Sequence, residues 1–553
     1  MRKLVALLCL PLAAFAWTKS GNQYTTNGSF SDVLSASQDA ALADGDVINI
    51  PAGTFSNWGA SFTAVNLSKA ITLKGAGQGS TTIVLDSGGP NGNYGVIQFY
   101  ANATAQDFTI TGSSSNDVNP FGASVAGHLD AIHIQNITYN AGTSGAYFLI
   151  FQDANGLINN CTINGGTGST ELIFGRGPTN AWQTADSPGT SAALYIESNT
   201  FGGSGYVCDI NANARAVVRY NTITVAGMKI DAHGMDSNSP ARSFREIEVY
   251  NNTFTNGGAE AVAIRGAPGF MFNNSVTNTD PSSAWFQLID YGSVSPWPNY
   301  GVASISASAA NPTVITATGH GYTSGFLVWV HVANSTPAID GFYVATVTGA
   351  NTFTIPVNVT VAGSSQGSNW TARERTPSDY PTYDQVGWGQ DTAGVYTNRA
   401  DPVYLWNNTA QGGVDWTLNW KAVDSNAITL YRTQTANPSA TFTMQDMIAA
   451  DRDYFKQTVG GTFTGASGVG LGTTAQMNAI TPSKTGVGFW VTDQGSWNTT
   501  VTAGTSGLLY TWSGSAWVLK YTPYTYPHPL RNNPTASHGM SGNAKLGGSA
   551  SLF

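Results

Sequence analysis

The sequence predicts an all-β solenoid of short strands stacked in parallel, and three observations carry that prediction. One grammar recurs: Val218–Ile223 (VRYNTI), Val249–Phe254 (VYNNTF) and Met271–Val276 (MFNNSV) each set an apolar residue, two spacers, an asparagine, a small hydroxyl residue and another apolar residue. Ile196–Phe201 and Leu405–Ala410 match it, and Ile134–Tyr139 and Ile158–Ile163 are looser copies. The hydroxyl positions Thr200, Thr222, Thr253 and Ser275 are separated by 22, 31 and 22 residues, a coil-sized period with insertions. Composition agrees: with 63 Gly, 10% charged residues and no long amphipathic stretch, short apolar runs are punctuated by Gly, Asn, Ser and Thr. A solenoid lengthens without widening its core, so 553 residues fit one elongated body.

The repeat unit follows from its residue types. Apolar–x–apolar alternation makes a strand with one buried face. An Asn between two such strands marks a bend, since Asn tolerates the left-handed conformation and bonds nearby backbone. Stacked copies let successive Asn side chains bond one another along the body. Ordinary turns of an antiparallel protein are the alternative, disfavoured because one grammar returns at a coil-sized period.

In chain order, residues 1–16 (MRKLVALLCLPLAAFA) read as a secretory signal peptide, with Arg2 and Lys3, a short apolar centre and an Ala-Phe-Ala end. Secretion to an extracellular or periplasmic space is the expectation, and the apolar run is too short for a membrane anchor. Removing Arg2 and Lys3 takes the formal charge from −9 to −11. A weakly charged, acidic chain without basic runs excludes nucleic acid as a partner, and an anionic substrate must be met by a local cation cluster. Cys161 and Cys208 cannot form a disulfide framework, and Cys161, which replaces the Asn of its own repeat, reads as a buried structural thiol. A short helix capped by Ser31 and ended by Gly45 precedes the strand Val47–Ile50, a Pro51-Ala52-Gly53 turn and Ile71–Gly77 (ITLKGAG). Such a helix plugs the open end of a first coil.

GDVINIPAGTF…ITLKGAG, together with the Asn-marked coils, resembles the right-handed parallel β-helix superfamily of pectate lyases and their relatives, over roughly residues 30–300 and 400–435. The resemblance implies a single-stranded right-handed parallel β-helix with three short sheets per coil and substrate lying along the first. That fold hosts lyases, hydrolases, isomerases and phage tailspikes, so activity has to be argued from the site. The resulting partition is a cap and first coil at 17–85, the β-helix at 86–301, a small antiparallel β module inserted at 302–372, final coils with a loop at 373–435, and an aromatic cap with a Gly/Ser-rich tail at 436–553. The insert alternates apolar and polar residues, as in Tyr343–Ile355, and reads as a passive spacer in preference to a sugar-binding module.

If each Asn follows the second sheet, the first sheet lies shortly before it. Stacking Ile150–Asp153, Ile173–Arg176, Cys208–Asn211, Ile230–His233, Ala263–Gly266 and Leu288–Tyr291 gives one outward stripe: Asp153, Arg176, Asp209 with Asn211, Asp231 with His233, Arg265 and Asp290. Polar outward positions occur in any solenoid, but a His and two Arg among the carboxylates make this stripe the candidate site. His233 is the candidate base, tuned by Asp231 or Asp209, and Arg265 holds a substrate carboxylate. Arg176, Asn211, Asp290, Trp182 and Trp285 are candidate sugar contacts, and Arg219, on the second-sheet line, reads as structural. His128, His133, His320, His331 and His528 have weaker claims.

Two mechanisms fit. Elimination on a uronic-acid polymer uses Arg265 and Arg176 to neutralise the carboxylate and His233 as base. The resemblance admits Ca²⁺-dependent and metal-free versions, with Asp153, Asp209 and Asp231 as candidate Ca²⁺ ligands. Hydrolysis uses Asp209 and Asp231 as a carboxyl pair on adjacent coils. The lines typical of hydrolases of this fold are missing, so a monomeric lyase acting on an acidic polysaccharide is expected first. A glycoside hydrolase is second, and a non-catalytic glycan-binding surface or tailspike-like protein third.

Overall fold

The computed structural model describes residues 17–58, 63–85, 95–112, 118–143, 145–169, 171–178, 181, 186–226, 229–233, 243–255, 261–277, 286–288, 305–320, 327–332, 335–365, 372–374, 379–380, 382–383, 386–390, 398–410, 450–457 and 462–532. Trp182, Trp285 and Asp290 fall outside these residues, as do residues 1–16 and the tail from 533.

The body is a parallel β-helix whose strands pair with their counterparts one coil away. The first sheet runs through Val65–Leu67, Ile97–Phe99, Phe121–Ser124, Leu149–Gln152, Glu171–Arg176, Tyr206–Asn211, Ile230–Ala232, Val262–Ile264 and Phe286–Leu288. The second includes Leu194–Glu197, Arg215–Arg219, Glu246–Tyr250, Gly269–Phe272, Val403–Trp406 and Tyr454–Lys456. The third includes Thr162–Gly165, Thr200–Gly203, Thr222–Ile223, Thr253–Thr255, Ser275–Thr277 and Thr409–Ala410. Alternate residues of all three close one core, among them Ile173, Cys208, Ile210, Val218, Ile230, Val249 and Ile264. Parallel stacking reaches Tyr454–Lys456, inside the stretch read as C-terminal cap; that strand carries no Asn marker to reveal it.

The marker asparagines form the expected ladder between the second and third sheets. The Asn199, Asn221 and Asn252 backbone N–H groups donate to the side-chain oxygens of Asn221, Asn252 and Asn274 at 2.9, 3.0 and 3.1 Å, and Asn274 N–H donates to Asn408 at 3.1 Å. Each amide NH₂ also donates to a carbonyl of the preceding coil, as Asn252 does to Val218 at 2.8 Å. The left-handed residue is the one before the ladder Asn: Asn160, Ser198, Tyr220, Asn251, Asn273 and Asn407 have φ of 51–58°. Cys161 occupies the ladder position of its own coil, where its sulfur donates to the Asn159 carbonyl at 3.3 Å, and burial pushes its thiol up to about 12. Both described cysteines are buried and unbridged.

Replacing a ladder member breaks bonds to both neighbouring coils. Asn252→Ala leaves the Asn221 N–H without its acceptor and removes the amide bonds to the Val218 carbonyl and to Asn274. At roughly 1–3 kcal/mol per stranded buried group, a loss of about 3 kcal/mol is expected in denaturant unfolding, against a few tenths for the exposed Thr253→Ala.

At the N-terminal end, the helix Phe30–Ser37 buries Val33 and Ala36 against the first coil, as a plug should. It begins at Ser29 and stops at Gln38, well short of Gly45; Asp39 and Asp46 accept backbone N–H groups in the following turns and end the helix earlier. The insert is a seven-stranded antiparallel sheet from Ile305 to Glu374 around Ile315, Val330, Val347 and Phe353. The C-terminal region builds a four-stranded sheet, Val469–Gly472, Gly488–Val491, Leu508–Trp512 and Trp517–Tyr521. Its aromatics lie along the outer face of the second sheet: Tyr521 stacks on Phe270 at 4.1 Å, Tyr526 on Tyr220 at 3.6 Å, and Trp490 meets Phe272 and Trp406. With that face of the second sheet covered, the outer face of the first sheet is where the candidate site lies.

Candidate active site

Register decides which side chains meet on the first sheet. Cys208, Asp209 and Ile210 pair with Ile230, Asp231 and Ala232, which pair with Val262, Ala263 and Ile264. Cys208, Ile210, Ile230, Ala232, Val262 and Ile264 enter the core, so Asp209 and Asp231 turn outward side by side. Pairing continues one residue past the strand ends, where His233 N–H donates to Ile210 O at 2.8 Å and Arg265 N–H to Ala232 O at 3.0 Å. Arg176, Asn211, His233 and Arg265 thus form a second outward row two residues along.

The two rows interlock as ion pairs. His233 Nδ1 lies 3.2 Å from both carboxylate oxygens of Asp209, and an Arg265 terminal nitrogen lies 2.8 Å from Asp231. Asp209 and Asp231 are 4% and 2% exposed. His233 and Arg265 each keep 14% of the side chain accessible. The carboxylates therefore sit underneath, and the imidazole and guanidinium form the surface that a ligand meets.

Burial pulls the His233 imidazolium down, but its hydrogen bond to Asp209 and the charges of Asp209 and Asp231 more than offset that, and its pKa stands at about 9. At neutral pH it is a cation, so it takes protons efficiently only in alkaline solution. Because this value lies above the ordinary 6.5, the pairing stabilises the fold fully below pH 6.5, and that contribution is lost as pH rises through about 9. The His233 ring protons should titrate in NMR near pH 9 in the native protein and markedly lower in Asp209→Asn. Titration below pH 7 in the native protein would contradict the pairing.

Tyr147, Glu171 and Tyr206 belong to the same neighbourhood and were missed in the sequence. Burial raises the Tyr147 phenol, helped by the charge of its partner Glu171; burial and then Asp231 raise Tyr206. Glu171 and Tyr206 open the ELIFGR and YVCDIN lines and face each other across the sheet, a pairing visible only once those lines are extended upstream.

Asp153 is not in the stripe. Gln152 pairs with Arg176, and Asp153 sits one residue on, in a left-handed bend with φ 52°. Its carboxylate meets His128 at 2.6 Å. The expected calcium set is therefore not assembled: the cluster with metal-ligand spacing is Asp209, Asp231 and His233, within 4.8 Å of one another. Calcium takes six to eight oxygens, whereas this set, among the described residues, offers two carboxylates and an imidazole, each carboxylate already facing a cation. The donor set does not fit calcium.

Other expected roles resolve structurally. Arg219 is fully buried on Glu197. Arg245, a nearby cation, is buried beside Asp186, and Arg242 lies outside the described residues. His133 is buried against Asn159, with desolvation holding it near 4. His320 is buried in the insert against Phe353, and His528 packs at a tilt against Tyr195 at 4.7 Å.

No family model matches the chain, and a comparison with curated proteins found no match. Among solved structures, the crystal structure of alginate lyase from Paenibacillus sp. str. FPU-7 is similar at 14% identity and a TM-score of 0.24, over 48% of this chain and 95% of that one. The ORF18 protein of Geobacillus virus E2 is similar at 12% identity and a TM-score of 0.24, over 60% of this chain and 72% of that one. Scores this low carry neither fold nor function; the parallel β-helix stands on the strand pairing above.

Proposed function

We propose that the chain is a secreted, monomeric polysaccharide lyase that cleaves a uronate-containing glycan by metal-independent β-elimination. One observation carries this reading: the reachable groups of the site are a base and a carboxylate binder, His233 and Arg265, while both carboxylates lie beneath them. Arg265 neutralises the uronate carboxylate, which acidifies the neighbouring C–H. A guanidinium carries five donors, so holding Asp231 does not exhaust it. Asp209 fixes the Nδ1 side of His233, and Nε2 takes the proton. The C–H electron pair becomes a C=C bond, the C–O bond to the departing sugar breaks, and the leaving oxygen acquires a proton.

Hydrolysis is supported less well. It needs one carboxyl to arrive protonated and both to flank the glycosidic bond, but Asp209 and Asp231 are almost wholly covered. The test is incubation with a panel of uronate polymers, following the ultraviolet absorbance of unsaturated ends with and without chelator. Chelator-insensitive absorbance is expected. New reducing ends without absorbance would establish a hydrolase, and binding without cleavage a glycan-binding protein. Activity should also climb with pH and level off above about 9, where His233 loses its proton.

A further inference from the structure

A cavity of about 320 Å³, at the small end of ligand-site volumes, opens where the chain bends out of the first sheet, lined by His128, Phe151, Asp153, Arg176, Asn213 and Arg215. Arg176, expected from the sequence to neutralise the reacting carboxylate beside Arg265, stands two strands away from His233, so the proposed elimination step relies on Arg265 and uses none of these residues. Arg176 is exposed, makes no ion pair with a described residue, and is braced with its guanidinium carbon 5.2 Å from the Phe174 ring centroid. Its row position, Arg176–Asn211–His233, sets it two strand spacings, roughly 10 Å, from His233.

The rest of the lining is polar in a particular way. Asn213 is 6% exposed, and its side-chain oxygen has no hydrogen-bond partner among the described residues. A buried amide oxygen left so is a standing acceptor for a ligand hydroxyl. Asp153 is a second acceptor, oriented by its 2.6 Å bond to His128, whose other nitrogen meets Asp130 at 3.0 Å. Arg215 on the wall is tied to Asp186 at 3.4 Å. One cation without an ion pair among the described residues, beside two acceptors, matches a molecule carrying one carboxylate and several hydroxyls.

We infer that this pocket is a distal subsite that takes one uronate residue of the bound glycan, its carboxylate on Arg176 and its hydroxyls on Asp153 and the Asn213 amide oxygen. The inference rests on the lyase reading for the direction of the chain along the first sheet. A glycan long enough to span both places gains from the pocket; a disaccharide at His233 does not reach it. The subsite thus acts on affinity for long substrates and leaves the chemical step untouched.

The test uses calorimetric titration of the full-length His233→Gln protein with di- and hexasaccharides of galacturonate, glucuronate and mannuronate/guluronate. Adding Arg176→Gln, an exposed change that leaves the core intact, should weaken binding of the preferred hexamer at least tenfold and leave its dimer unchanged. In the active protein it should raise KM for polymer with kcat unaltered. Unchanged hexamer affinity, with the native protein still cleaving polymer, would overturn the subsite and spare the lyase. A carboxyl-reduced hexamer that binds equally well and loses as much on Arg176→Gln would overturn the carboxylate assignment. Neither binding nor cleavage of any uronate by the native protein would overturn both.

Discussion

His233→Gln should lower turnover of a uronate polymer by about a thousandfold, within the roughly 10²–10⁴ range of general-base contributions, while the β-helix stays folded. The choice of Gln matters. Asp209 is almost fully buried and held at 3.2 Å by the imidazole, so an alanine would leave that carboxylate uncompensated and mix a stability loss with a catalytic one. A Gln amide can still donate to Asp209 but cannot take a proton. The check is a rate measured by product absorbance beside an unfolding curve. Native-like activity in the variant would remove His233 from the chemistry; loss of the cooperative transition would show a structural role alone.

The second large effect is on stability. Arg219, on the second sheet, is fully buried; it donates to Glu197, to the Tyr250 hydroxyl at 2.8 Å, and to the Tyr524 and Thr525 carbonyls at 2.7 and 2.8 Å. Glu197 in turn accepts the His528 N–H at 3.1 Å and forms an ion pair with Arg531 at 2.5 Å. One guanidinium thus ties three consecutive coils to the C-terminal segment. Arg219→Met keeps volume but abandons a buried carboxylate and two carbonyls, so a loss of about 3–5 kcal/mol is expected in chemical denaturation. The segment around Tyr524–Arg531 should become the first site of protease cleavage. A variant as stable and protease-resistant as the native chain would mean that the aromatic stacks alone hold that segment.

The coil architecture was legible because its cause is local: each ladder Asn follows the left-handed residue that bends the chain and must find a partner, and only stacked copies of one unit supply that partner at Asn221, Asn252 and Asn274. The row of Asp209, Asp231, His233 and Arg265 was legible for the same reason, since strand alternation fixes which residues turn outward. What was hidden depends on detail that alternation does not contain. Asp153 slips from the stripe because Gln152, not Asp153, is the register partner of Arg176, which leaves Asp153 in the bend that Ala212 occupies two coils on. The depth of Asp209 and Asp231 follows from side-chain lengths: Asp is short, so the longer His233 and Arg265 arch over it. The docking of Tyr521, Tyr524 and Tyr526 along the second sheet joins positions some three hundred residues apart in the chain, as in the Arg219–Tyr524 bond, and no local pattern reports such a contact.

Mass spectrometry of the oligosaccharides released from a uronate polymer tests the central assignment most directly. If a cation pair above two covered carboxylates performs elimination, each new fragment pair will sum to the mass of its parent, with an unsaturated sugar at one end. Fragments that together carry an added water would contradict it and move the chemistry to Asp209 and Asp231.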